Sequence, residues 1–151
     1  MQVKFQSDDF GDEAASMQAT AEGAAPKEAD HLWGRIVLEH PGQPTVAVFD
    51  DLSMLGLALC ADVPAALLRD GRAELHLVGW PGEFTFQANA DAVYVTGSMG
   101  ENAVFPQREL LAELHACGER LAAFMDELSV ACPQFAFSGR ALGESLAASG
   151  S

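Results

Sequence analysis

From Gln107 to Ser129 the chain places large apolar residues at steps of three and four: Leu110, Leu111, Leu114, Cys117, Leu121, Phe124, Met125 and Leu128. That spacing predicts one long amphipathic helix, with Glu109, Glu113, Arg120, Asp126 and Glu127 on its other sides and Pro106 at its start. Burial at about 25 cal/mol per Å² makes the stripe a main source of stability, so something flat and apolar must lie beneath it. Gly118 costs about 1 kcal/mol against alanine at mid-helix unless a neighbour needs the space.

The flat partner is legible just upstream. "RAELHLVG" (72–79), "EFTFQA" (83–88) and "AVYVTG" (92–97) alternate with period two and are joined by turns at Trp80-Pro81-Gly82 and Asn89-Ala90-Asp91, which predicts a three-stranded meander. Leu75, Leu77, Phe84, Phe86, Val93 and Val95 fall on the buried face. Glu74, His76, Thr85, Gln87, Tyr94 and Thr96 fall on the other, a polar and weakly aromatic surface suited to display.

Earlier in the chain, "LWGRIVLEH" (32–40) puts Trp33, Arg35, Val37 and Glu39 opposite Leu32, Ile36 and Leu38. The turn "PGQP" then leads into "TVAVF" (45–49), completing a hairpin. "LSMLGLALC" (52–60) is apolar nearly all round and reads as a buried short helix or a buried strand. Asp62 as cap, Pro64 in the first turn and a stop at Gly71 predict a short helix. The expected fold class is therefore α+β: one antiparallel sheet of about five to six strands, covered by the long C-terminal helix, with one or two short helices inserted. Three regions follow. Residues 1–31 are an N-terminal strand ("MQVKFQ") and a flexible acidic arm, 32–137 are a single α+β domain, and 138–151 are a flexible tail. Residues 98–106 read as a turn-rich loop, and "CPQFAF" (132–137) as a last edge segment.

Charge bears most directly on function. With 22 acids against 8 bases the formal net charge is −14, a field that repels nucleic acid and anionic lipid and speeds encounter with a basic partner. High negative charge also serves solubility alone. No unbroken apolar run reaches the roughly 18 to 20 residues of a membrane span, and residues 1–20 lack a basic start followed by an apolar stretch. A cytoplasmic protein without membrane contact is expected. Cys60, Cys117 and Cys132 are odd in number and far apart, as reduced core thiols are.

Catalytic, cofactor-binding and metal-ligating residues are all expected to be none. His31, His40, His76 and His115 sit on different elements with no metal-ligand spacing. The acids Asp8, Asp9, Asp12 and Glu13 lack the spacing of a calcium loop. Neither Lys4 nor Lys27 follows a glycine-rich turn, and Ser98 in "TGSMG" departs from a nucleophile elbow at its first position. Glu74 and His76 share a strand face, an arrangement that is structural far more often than catalytic.

What remains is a surface. Asp50, Asp51, Asp62, Asp70, Glu74, Glu83 and Asp91 cluster around strand ends and loops, with Trp80 and Tyr94, both anchor-type residues, beside them. This set is the candidate partner-binding surface. Substitution at Asp50, Asp51, Trp80 or Glu83 is expected to weaken binding and leave folding intact.

The succession "VFDDL…LC…DVPAALLRDG…VGWPGEFTF…DAVYVTG", followed by "FPQRELLAELHACGERLAAFMDEL", resembles small bacterial immunity proteins of contact-dependent and polymorphic toxin systems. The resemblance spans roughly residues 32–128 and lies in element order and turn residues. It implies a protein that binds a cognate toxin domain and neutralises it. No contact residue carries over, because such contacts diverge with the toxin. "VFPQRELLAELHACGERLAAFM" also resembles the last helix of type III secretion chaperones, which are small and acidic too. Those begin with an amphipathic helix, and residues 1–30 show no such stripe. An enzyme whose site is assembled from scattered side chains is the remaining alternative.

Overall fold

The computed structural model describes residues 1–28, 30–79 and 81–149. Its strands form two antiparallel sheets rather than one. The first has the order β1 (Gln2–Ser7), β2 (Trp33–Glu39), β3 (Val46–Asp51); the second has β4 (Arg72–His76), β5 (Glu83–Asn89), β6 (Ala92–Gly97) and β7 (Asn102–Pro106). The α+β class, the β2–β3 hairpin and the meander are as expected from period two. The fourth strand of the second sheet is not, because "NAVFP" follows a glycine-rich turn and ends in a proline, so that it reads as loop. Val93 faces Phe105 and Val95 faces Ala103 across β6 and β7, so the short strand extends the buried face.

The two sheets share one core. Phe5, Ile36 and Val48 align across the first sheet, and Leu75, Phe84 and Gly97 across the second. Apart from Gly97, these residues join a single buried cluster running from Val3 to Leu146. At the junction, the side-chain carbonyl of Gln43 accepts from the Val104 N–H of β7 at 2.9 Å, a substitute for strand pairing along that edge.

The helices pack on both sheets, α4 (Gln107–Ala131) against β1, β6 and β7. Helix α4 buries Leu110, Leu114, Cys117, Leu121, Phe124, Met125 and Leu128, the stripe its spacing predicts. Leu52–Asp70 is continuous helix: α2 (Leu52–Leu55), a π-helical segment (Gly56–Asp62) and α3 (Val63–Asp70). Asp62 does not cap α3, since its backbone is already helical and its carboxylate accepts no capping bond. Gly71 ends α3 with φ 70°, the left-handed turn that glycine adopts freely. By length and a mean hydropathy of 1.5, Leu52–Asp70 is the one helix among the described residues long and apolar enough to cross a membrane. Here the π segment packs on α4: a β-carbon at Gly118 would lie 2.9 Å from Cys60 Cβ and 3.0 Å from Leu146. That close crossing explains a glycine at mid-helix. Cys60, Cys117 and Cys132 are free and buried, and a hydrogen bond with Cys117, together with burial, pushes the Cys60 thiol well above its usual range.

Both ends of the chain differ from expectation. Residues 7–30 contain helix α1 (Glu13–Ala21), capped by Asp12, whose carboxylate accepts from Ala15 N–H at 2.9 Å. Its buried face is Ser16 and Thr20, each hydrogen-bonded, so no apolar stripe announces it. Residues 132–149 form no edge strand and no loose tail. A short 3₁₀ turn (Pro133–Phe135) leads into α5 (Ala136–Ser149), which sinks Leu142 and Leu146 into the core. Single leucines four residues apart among small neighbours are a faint helical signal, yet enough once α4 supplies the other side.

Candidate functional site

Two of the predicted surface acids are interior scaffold. Asp50 and Asp51 are only 2% and 6% exposed. The Asp50 carboxylate accepts from the backbone N–H groups of Val78 (2.7 Å), Gly79 (2.8 Å) and Asp51 (2.9 Å). It thereby fastens the loop after β4 to the end of β3. Asp51 accepts from Leu32 N–H (3.2 Å), from Ser53 N–H (3.1 Å) and from the Ser53 hydroxyl (2.7 Å), and its second oxygen meets His31 Nδ1 at 3.2 Å. With their lone pairs committed inward, neither acid can be a partner's contact. The trio of Asp51, His31 and Ser53 superficially suggests a relay. Yet the hydroxyl donates to the carboxylate and not to the imidazole, so Asp51 is a helix cap and a tether for His31.

Glu74, Glu83 and Tyr94 are exposed on the outer face of the second sheet. Register places Arg72 opposite Gln87 and Gln87 opposite Tyr94, Glu74 opposite Thr85 and Thr85 opposite Thr96, and His76 opposite Glu83. His76 bridges the two acids, with Nε2 3.6 Å from Glu74 and Nδ1 3.2 Å from Glu83. The carboxylates therefore approach opposite ring nitrogens and cannot gather around one ion. Among the described residues no group of three His, Cys, Asp or Glu side chains is placed to hold a metal.

Arg72 donates to Glu74 at 3.2 Å, and this bond and charge, with a smaller contribution from His76, hold the Glu74 carboxyl below the usual carboxylate range. A depressed carboxylate contributes stability that is present above its unfolded pKa of about 4.3 and is lost as pH falls through the lower folded value. Arg72→Ala should therefore move the Glu74 titration upward, toward the ordinary value, in a carboxyl NMR titration. An unmoved Glu74 would assign the shift to another cause.

Three further acids of the predicted set lie off the outer face of the sheet. Asp62 lines a cleft of about 280 Å³ with Arg69, Ala73 and Glu74, and burial raises its carboxyl pKa. Asp70 is paired with its neighbour Arg69 at 2.9 Å. Asp91 is exposed in the β5–β6 turn, beside Ala90 at φ 55°. Trp80 lies outside the described residues. The predicted set is thus divided between a buried pair, Asp50 and Asp51, and exposed or part-exposed positions on and around the second sheet.

A further surface, absent from that set, sits where the sheets meet. His31 stacks on Trp33 (centroids 5.0 Å apart), Trp33 on Phe49 (6.0 Å, planes 10° apart), and the Arg35 guanidinium lies 6.0 Å over Phe49. Beside this ladder a cavity of about 300 Å³ is lined by Phe49, Leu77, Phe84, Met99, Arg35 and Glu101, among others. Of these, Met99 is 70% exposed. The available signal was Trp33 on the face opposite Ile36 and Leu38, an aromatic where a half-buried strand carries polar groups.

No protein-family model, curated protein or solved structure matches the chain.

Proposed function

We propose that this protein is a non-enzymatic binding module that captures a basic protein, in the manner of an immunity protein that neutralises a toxin domain in the cytoplasm. The observation that carries the reading is the bare outer face of the second sheet. The helices and sheets share a core on the other side, while Glu74, His76, Glu83, Gln87, Tyr94 and Thr96 are left exposed, with Arg72 paired to Glu74 beside them, on a chain of net charge −14. Two carboxylates and one tyrosine on the same face suit a cationic surface, steering it at long range and anchoring it at contact. Three free, buried thiols fit a reducing compartment. A secretion-chaperone role has less support, because α1 packs against its own β1 and α4 and its buried face is Ser16 and Thr20.

The test is a tagged pull-down from the native cell at low and high salt, with mass spectrometry of the eluates and the Glu74→Lys/Glu83→Lys double variant alongside. One basic polypeptide, retained at low salt, released as salt rises and lost from the variant, is the expected result. Retention that ignores both salt and the charge reversals would overturn the acidic-face reading.

A further inference from the structure

Resting on the binding-module reading, we propose that the seam between the two sheets receives an apolar side chain of the basic partner, with an adjacent lysine or arginine of that partner meeting Glu83 and Glu101. The seam has the features of an anchor pocket. Its volume of about 300 Å³ lies at the low end of small-molecule sites and is ample for one large side chain. Phe49, Leu77, Phe84 and Met99 line it, and Met99 leaves 70% of its surface in water, which a partner's apolar group would relieve.

The walls are held before anything binds. Asp50 fixes the backbone of Val78 and Gly79, and the Glu101 carboxylate accepts from Met99 N–H at 2.9 Å, pinning the β6–β7 turn. A preformed slot avoids the ordering cost of assembling one on contact. Charge fixes the kind of partner. Glu83 N–H donates to the Ser98 hydroxyl at 3.1 Å, and Gly97 N–H donates to the Glu101 carbonyl at 2.9 Å, so both acids are attached to the same turn. Arg35 occupies the opposite wall, against Phe49, and disfavours a cation there. A second copy of this chain is the wrong occupant, since it brings another net −14. Through Glu83, the first residue of β5, the seam is continuous with the outer face of the second sheet.

The probes are two capped pentapeptides, four lysines around a central leucine and four lysines around a central glycine, titrated at low salt into the isotope-labelled full chain by amide NMR. The expected result is that the leucine peptide shifts Phe49, Leu77, Met99 and Glu101 and binds about ten-fold tighter than the glycine peptide, the factor expected for burying one such side chain. Met99→Ser, at an exposed position of the lining, should reduce that advantage while the spectrum stays that of the folded protein. Equal affinities, with shifts centred on Glu74, Glu83 and Gln87, would overturn the seam and leave the acidic-face reading standing. No shift with either peptide would overturn both.

Discussion

Asp50→Ala is expected to lower the unfolding free energy by about 3 kcal/mol, although Asp50 has the sequence signature of a surface acid. Its carboxylate is buried and serves three backbone donors, and hydrogen bonds to a charged acceptor contribute about 1.5 to 3 kcal/mol each before non-additivity. Alanine leaves the N–H groups of Val78 and Gly79 without their acceptor and frees the loop that walls the seam. Against a usual total of about 5 to 15 kcal/mol, that is a large fraction. Glu83→Ala, at an exposed site, should stay within about 0.5 kcal/mol. Urea unfolding of the pair, with hydrogen exchange at Val78 and Gly79, separates the cases. Equal midpoints for both variants would mean that Asp50 does not clamp the loop.

The contrast between those two acids shows where sequence reading stops. Period two and period 3.6 report which residues face a core, so the α4 stripe, the meander faces and the β2–β3 hairpin were legible. They carry no information about a polar residue whose burial is compensated by backbone donors far along the chain. Val78 is 28 residues from Asp50, and nothing local to "VFDD" distinguishes Asp50 from Asp62. For the same reason α1 and α5 were hidden. One buries hydroxyls that bond to Gly11, Ser7 and Met17, and the other buries two leucines among alanines, glycines and serines. Tertiary contacts supply in these places what periodicity does not express. The seam belongs to the same class, since its ladder draws Trp33 and Phe49 from different strands and its cavity draws Leu77 and Met99 from different loops.

Phe124→Ala should be more damaging than Asp50→Ala, costing about 4 kcal/mol, in the range typical of a fully buried phenylalanine. The ring joins the long helix to the start of the chain. Its centroid lies 5.4 Å from that of Phe5 on β1 and 6.3 Å from that of Phe10, edge-on at 75°. One turn earlier, Arg120 donates to Glu13 at 2.7 Å and to the Val3 carbonyl at 2.8 Å, tying α4 to α1 and β1. If this region were an independent acidic arm, Phe10→Ala would be silent and Phe124→Ala would be indifferent to it. The packing instead requires the two to be coupled. A double-mutant cycle of Phe10→Ala and Phe124→Ala, read by denaturant melts, should give an interaction energy of about 0.5 to 1.5 kcal/mol, the range for an edge-on aromatic pair. Strict additivity would detach Phe10 from the core and return residues 7–30 to the status of an arm.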